Sequence, residues 1–249
     1  MQPFLALGLL LSGAALEPPL PDSATMERLA RTDPVAFLEN CLRRYQREVR
    51  TYRAILHKQE RIDGKLRRSE ELEVTCREKP FSVLLVWLKN PGRAERVLYV
   101  QGENDNQLLV RPTGLAFKLA GIVRRDPRSP DAQQASRISL PQFGMGKATE
   151  RLLASWQAGA REEKLHVEYL GKKKVHEAGD RTCYVLRRTG FSQEGVTAIT
   201  AYFDAETWLQ VGTTLKGEDN ALLADYFFRD VRINPELPDD TFTRQSLEK

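Results

Sequence analysis

The three histidines, His57, His166 and His176, are the side chains best suited to metal binding or general-base work, and their spacing serves neither. None stands in an HxH or HExxH arrangement or beside a cysteine at ligand spacing, and no GxSxG, Walker or dinucleotide fingerprint occurs. Glu60 with Asp63, and Glu71 with Glu73, are the paired carboxylates nearest a strand-like segment. They are expected on solvated faces rather than in an acid–base pair. Gly144-Met145-Gly146 is only a fragment of a phosphate cradle and reads as a hinge. Lys172-Lys173-Lys174 is expected at a solvated hairpin end. Cys41, Cys76 and Cys183 form no CxxC, and their odd count permits one intramolecular disulfide at most. Cys76 and Cys183 could pair if their strands were neighbours; otherwise all three are small buried apolar groups. No catalytic residue, metal or cofactor is therefore expected, and the chain reads as a non-enzyme.

The amino terminus carries an address rather than chemistry. The first sixteen residues hold no charged side chain, and Phe4 to Leu11 is an apolar run followed by Ser12-Gly13-Ala14-Ala15. This pattern predicts a secretory signal peptide over residues 1–15, cleaved so that the mature chain starts at Ala15 or Leu16. The run is too short to span a bilayer. Ala14 stands where a lipoprotein box would need a cysteine, so the product is expected to be released, in the periplasm or outside the cell. Residues 16–32, rich in proline at their start, are read as a linker.

The elements that would position any site follow from periodicity. Asp33 as N-cap and Pro34 at the first helical position open a helix whose apolar stripe is Val35, Leu38, Leu42, Tyr45, Val49 and Tyr52. From Arg53 the chain reads as antiparallel strands, with Asp63-Gly64 as a hairpin turn and Leu72, Val74 and Cys76 alternating with polar residues. Phe81 to Leu88 is apolar on both faces, so it is expected to be covered twice. Gly114 to Val123 is apolar, aperiodic and bounded by glycine, as a mobile lid would be. A second helix over about 147–161 presents Ala148, Leu152, Leu153 and Trp156, and five more strands follow. The order implies an α+β fold with one long meandering sheet and helices gathered on one face, as a single domain over 33–245. An apolar fraction of 41% suffices for a core, and a net charge of +4 with scattered arginines excludes a nucleic-acid footprint.

Two stretches carry a resemblance. Tyr52 to Gly64 with Arg77 to Val83, and Tyr202-Phe203-Asp204-Ala205-Glu206-Thr207-Trp208-Leu209 with Tyr226 to Val231 and Asn234-Pro235, resemble the bacterial domain-of-unknown-function family 1571. More distantly the plan is similar to the LolA/LolB-type periplasmic lipoprotein carriers. That resemblance implies a strongly curved antiparallel sheet, an unclosed half-barrel with helices packed on its concave face, around an apolar cavity for acyl chains. The function it implies is an extracytoplasmic, non-enzymatic binding protein for an acyl chain, lipid or lipoprotein. The alternative is an envelope interaction or sensor module with no small ligand. Trp87, Val83, Leu85, Phe117, Phe143, Leu152 and Trp156 are the expected cavity lining. Gly114 to Val123 and Phe143 to Gly146 are expected to open and close over Trp87 and Trp156. Peripheral membrane contact and a monomeric state complete the expectation.

Overall fold

The computed structural model describes residues 18–249, the side chain of Phe117 excepted. The expected signal peptide lies outside the described residues.

The first elements are helices. Asp22 accepts a hydrogen bond from the Thr25 amide and caps α1 (Ser23–Thr32), and Asp33 caps α2 (Pro34–Glu48) through the Ala36 amide, with Pro34 inside its first turn. The segment read as a linker over 16–32 thus contains a helix. A Met–Leu–Ala spacing gives α1 an apolar stripe, and Met26 and Ala30 are fully buried against α2 and the sheet. At the other end Leu247 is equally buried, so the packed unit runs past both limits of the expected 33–245 domain.

Strands β1 (Thr51–Ile62), β2 (Lys65–Leu66), β3 (Glu70–Arg77), β4 (Ser82–Lys89), β5 (Ala94–Val100) and β6 (Leu108–Pro112) come next. Then follow α3 (Gly114–Ala120), β7 (Val123–Arg125), α4 (Pro130–Ala135) and α5 (Met145–Arg161). Strands β8 (His166–Val175), β9 (Arg181–Thr189), β10 (Ala198–Asp204), β11 (Gln210–Lys216) and β12 (Leu222–Ile233) complete the sheet among the described residues. They form one antiparallel sheet in the order β7-β6-β5-β4-β3-β1-β12-β11-β10-β9-β8, with β2 paired to the end of β1. The sheet is an unclosed half-barrel, and α1, α2 and α5 pack on its concave face.

Register assigns the faces. In β1 the strictly alternating burial turns Tyr52, Ala54, Leu56, Lys58 and Glu60 toward the helices. Their cross-strand partners Cys76, Val74, Leu72 and Glu70 on β3, and Tyr226 and Phe228 on β12, share that face. On β4 the same face carries Val83, Leu85 and Trp87. The double covering expected of this strand is present: Leu84 on the other face packs with Leu98, Leu109, Phe242 and Leu247, so the carboxy-terminal segment is the second layer. Leu88 escapes it and is exposed.

Two local expectations, the loop at Gly114 and the turn at Lys172, are corrected, and the alternative left open for the cysteines is decided. Gly114 to Ala120 is helix rather than loop, and its Leu115 and Leu119 face solvent instead of covering an apolar surface. Lys172 to Lys174 lie on edge strand β8, not in a turn; Lys172 pairs with Glu27 at 2.8 Å. Cys76 on β3 and Cys183 on β9 stand on strands far apart in the sheet, and all three cysteines are free and buried.

Candidate functional site

The residues expected to line one cavity are divided between two clusters. Val83, Leu85 and Phe143 are buried, with Trp87 half-buried beside them, over the β3–β6 half of the concave face. Leu152 and Trp156, on α5, are buried instead with Phe37, Leu38, Tyr184 and Phe203 over the β8–β10 half. Phe117 lies in α3 and its side chain is outside the described residues. The helix-covered half is an ordinary packed core: Phe37 meets Tyr184 and Phe203 edge-on at 5.4 and 5.3 Å. Two buried side chains there carry polar atoms without hydrogen-bond partners: Trp156 at Nε1, and Arg188 at Nε and Nη2, with its Nη1 on the Phe191 carbonyl and its guanidinium over the Phe191 ring.

The β3–β6 half is built differently. Its floor of Leu72, Val74, Leu85, Val97, Tyr99 and Leu108 is buried. What covers the floor is the connection between β7 and α5, from which Ile138 and Leu140 pack down as half-buried side chains. From Arg111 to Gln142 no described side chain reaches full burial. This roof is therefore thin. It is anchored at one end by Phe143, edge-on to Phe228 at 6.2 Å, and by Met145, whose amide donates to Tyr52 Oη at 3.3 Å. The Gly144-Met145-Gly146 step is a close approach rather than a hinge. A Cβ on Gly146 would stand 2.4 Å from the Tyr45 ring, and one on Gly144, at φ +106, would stand 2.7 Å from Tyr52 Oη. In this conformation Phe143 to Gly146 is packed against Tyr45, Tyr52 and Phe228.

At its middle the roof is held by charge. Glu60 is buried, against the expectation of a solvated face, and does not act with the exposed Asp63. Its Oε1 accepts from Tyr226 Oη at 2.5 Å, and from Ser136 Oγ and the Arg137 amide at 3.1 Å each. Lys58 Nζ lies 3.3 Å from both Glu60 and Glu70, and Trp87 Nε1 donates to Glu70 at 2.6 Å. Burial, with the Glu60 carboxylate next to it, pushes the Tyr226 phenol well above its ordinary value, so it stays protonated and donates. Ionic groups this deep need partners on every side. The network supplies them, and two of those partners belong to the roof. Sequence alternation places Lys58 and Glu60 on the same face as Leu56, and that was the available signal: charged residues continuing an apolar register.

Cavities among the described residues border the sheet on both faces. One, of about 480 Å³, lies between the roof and the β5–β6 turn; Tyr99, Asp105, Gln107, Arg128, Ser139 and Gln142 are among its walls. It reaches the floor at Tyr99. Another, of about 290 Å³, is on the convex face between His57, Glu177, Tyr202, Thr214, Asp225 and Phe227. Burial raises the Asp225 carboxyl, with Thr214 and His57 opposing it. His166 and His176 are exposed elsewhere. Among the described residues no group of three His, Cys, Asp or Glu side chains could hold a metal ion.

Residues 49–248 match the family model described as a protein of unknown function, DUF1571. The chain belongs to that family. Among curated proteins, no sequence matches it. Solved structures are similar to this chain at low identity. MucB, also solved from Pseudomonas aeruginosa in complex with MucA, is 17% identical at a TM-score of 0.52, over 87% of this chain and 64% of MucB. A LolA-superfamily protein of Nitrosomonas europaea is 10% identical at a TM-score of 0.38, over 84% of this chain and 99% of that one. The lipoprotein LppX of Mycobacterium tuberculosis is 12% identical at a TM-score of 0.47, over 84% of this chain and 100% of that one. At 17% identity the likeness to MucB is one of fold. The chain is a DUF1571 member with the half-barrel fold shared by MucB.

Proposed function

We propose that this DUF1571 protein is a non-enzymatic, extracytoplasmic binding protein that takes an acyl chain of a lipid or lipoprotein onto the β3–β6 half of its concave face. The observation that carries the reading is the mismatch between floor and roof. Leu85, Val97, Tyr99 and Leu108 form a buried apolar floor, yet the segment over them has no fully buried residue between Arg111 and Gln142. Such a segment belongs to the low-stability end of a fold and can yield its place to another apolar group. Each methylene that replaces it contributes about 0.8 kcal/mol. The 480 Å³ cavity ending at Tyr99 is the entry in this reading, with Arg128 in its wall to meet an anionic head group. Trp87, Val83, Leu85 and Phe143 remain in the proposed lining; Leu152 and Trp156 belong to the helix-covered core instead. Cleavage of residues 1–15 and action as a monomer are part of the same proposal.

The test is uptake of a fluorescent long-chain fatty acid by the mature chain, together with native mass spectrometry for copurifying lipid. We expect saturable uptake, faster in the Ile138→Ser/Leu140→Ser variant, whose roof has lost its apolar hold. No copurifying lipid and no uptake by either protein would leave the second reading, an envelope interaction module without a small ligand. That reading is favoured by one observation: in this conformation Ile138, Leu140 and Phe143 already fill the floor.

A further inference from the structure

Among the described residues four large apolar side chains are left exposed: Leu66 (40%), Leu88 (49%), Leu115 (69%) and Leu119 (81%). Scattered leucines would call for no explanation. These are not scattered. β1 and β4 run in the same direction, antiparallel to β3, so the β1–β2 hairpin, the β4–β5 turn and the chain leaving β6 all emerge at one end of the half-barrel. Hydrogen bonds join them into a continuous rim. Asn90 Nδ2 donates to the Ser69 carbonyl at 2.8 Å, and the Thr113 amide donates to the Arg93 carbonyl at 3.1 Å. Thr113 Oγ1 reaches the Gly92 carbonyl at 3.3 Å, which sets α3 beside that turn. Leu115 and Leu119, four residues apart, share one face of α3.

The same rim is basic. Over 63–68, 88–93 and 114–120 there are six cations, Lys65, Arg67, Arg68, Lys89, Arg93 and Lys118, against one carboxylate, Asp63, and all seven are exposed. Among the described residues Lys89 is the one of the six that meets a carboxylate, Glu71 at 3.2 Å. Leucines projecting beyond their own fold, interleaved with long cationic side chains, match the two layers of an anionic bilayer surface. The leucines enter the acyl boundary while the cations stay among the head groups. An acidic protein would satisfy the cations but would not call for four leucines held outward on three separate elements, β2, β4 and α3.

We propose that this rim, formed by the β1–β2 hairpin, the β4–β5 turn and α3, docks the protein onto an anionic lipid bilayer. The inference does not rest on the acyl-binding reading, because the rim lies at the opposite end of the strands from the β5–β6 turn that borders the 480 Å³ cavity. Sedimentation of the mature full chain with vesicles tests it, using phosphatidylcholine alone and phosphatidylcholine with phosphatidylglycerol in equal parts. Binding is expected to the anionic vesicles only and to weaken with salt. Leu115→Asp/Leu119→Asp and Arg67→Glu/Arg93→Glu should each weaken it about tenfold or more. All four positions are exposed, so circular dichroism should be unchanged. Lys173→Glu/Lys174→Glu, an equal charge change on edge strand β8, should leave binding as it is. The proposal is overturned if anionic vesicles do not bind the chain or if the leucine variant binds as the parent does. It is equally overturned if the β8 variant loses as much as the rim variants, or if the rim retains an acidic protein but no vesicle.

Discussion

At the scale of single residues, the turn at Asp204 shows how one carboxylate fixes a connection. Asp204 Oδ1 accepts from the Glu206 and Thr207 amides at 3.0 and 2.8 Å and from Thr207 Oγ1 at 3.0 Å, while Arg181 clamps both oxygens at 2.5 and 3.1 Å. Burial raises its pKa, but the bonds from Arg181 and Thr207 outweigh burial and hold the carboxyl below its ordinary value. A depressed carboxyl contributes stability that is present above the unfolded-state value, about 3.9, and is lost as pH falls through the folded one. Asp204→Asn should therefore cost about 2–3 kcal/mol at neutral pH. The gap between variant and parent should close as urea melts are repeated below about pH 4. A gap independent of pH would mean that the turn is held by shape rather than by charge. The Asp-x-x-Thr spacing was readable in the sequence; its partner Arg181, on the neighbouring strand, was not.

At the scale of elements, the roof is where sequence reading and structure part most. Periodicity found α2 and α5 because both bury a continuous stripe. It missed α3 and α4 because neither helix has a buried stripe to repeat: α4 has no buried residue, and α3 leaves its leucines outside. The latch on Glu60 makes the roof's attachment testable. Glu60→Gln leaves Lys58 with Glu70 alone and removes the charge from the bonds to Ser136 and Arg137. Breaking a buried ionic cluster by one partner costs about 3–5 kcal/mol. Part of that loss should appear locally, as faster amide hydrogen exchange over 126–142 than in the parent, with β8 to β10 little changed. Uniform acceleration across the sheet would show that Glu60 supports the sheet as a whole and not the roof.

At the scale of the whole molecule, the chain's first and last strands, β1 and β12, pair at the centre of the sheet, and the edges are left to β7 and β8. Both edges discourage further pairing. β7 is three residues long with two arginines, and β8 carries three lysines and a register break between Tyr169 and Lys172. The proposed monomer is consistent with that. The carboxy-terminal segment closes the remaining apolar face: Arg96 and Arg111 donate to the Ser246 and Leu247 carbonyls at 2.8 and 3.0 Å, and Leu247 sits over Leu84, Leu98 and Leu109. Truncation after Glu236 should uncover this face. A drop in melting temperature of several degrees and association at raised concentration are expected, read by calorimetry and light scattering. An unchanged melting temperature would show the segment to be an ornament on a finished sheet.

The sequence by itself determined what depends on neighbours along the chain. The capped α2, the two-residue turn at Asp63-Gly64, the alternation of β1 and β3, the doubly apolar β4 and the α+β order are all local patterns of period or capping. Tertiary structure alone decided which residues share a space. It divided Trp87, Val83, Leu85 and Phe143 from Leu152 and Trp156, because β1 and β12 stand between the two halves of the concave face and no local pattern reports sheet order. It buried Glu60 with Lys58, Glu70 and Tyr226, since a charge can replace an apolar side chain on a buried register only when partners arrive from distant strands. It also brought Leu66, Leu88, Leu115 and Leu119 to one rim. Each is an unremarkable leucine in its own segment; the shared direction of β1 and β4, and the hydrogen bonds between their turns, make them one surface.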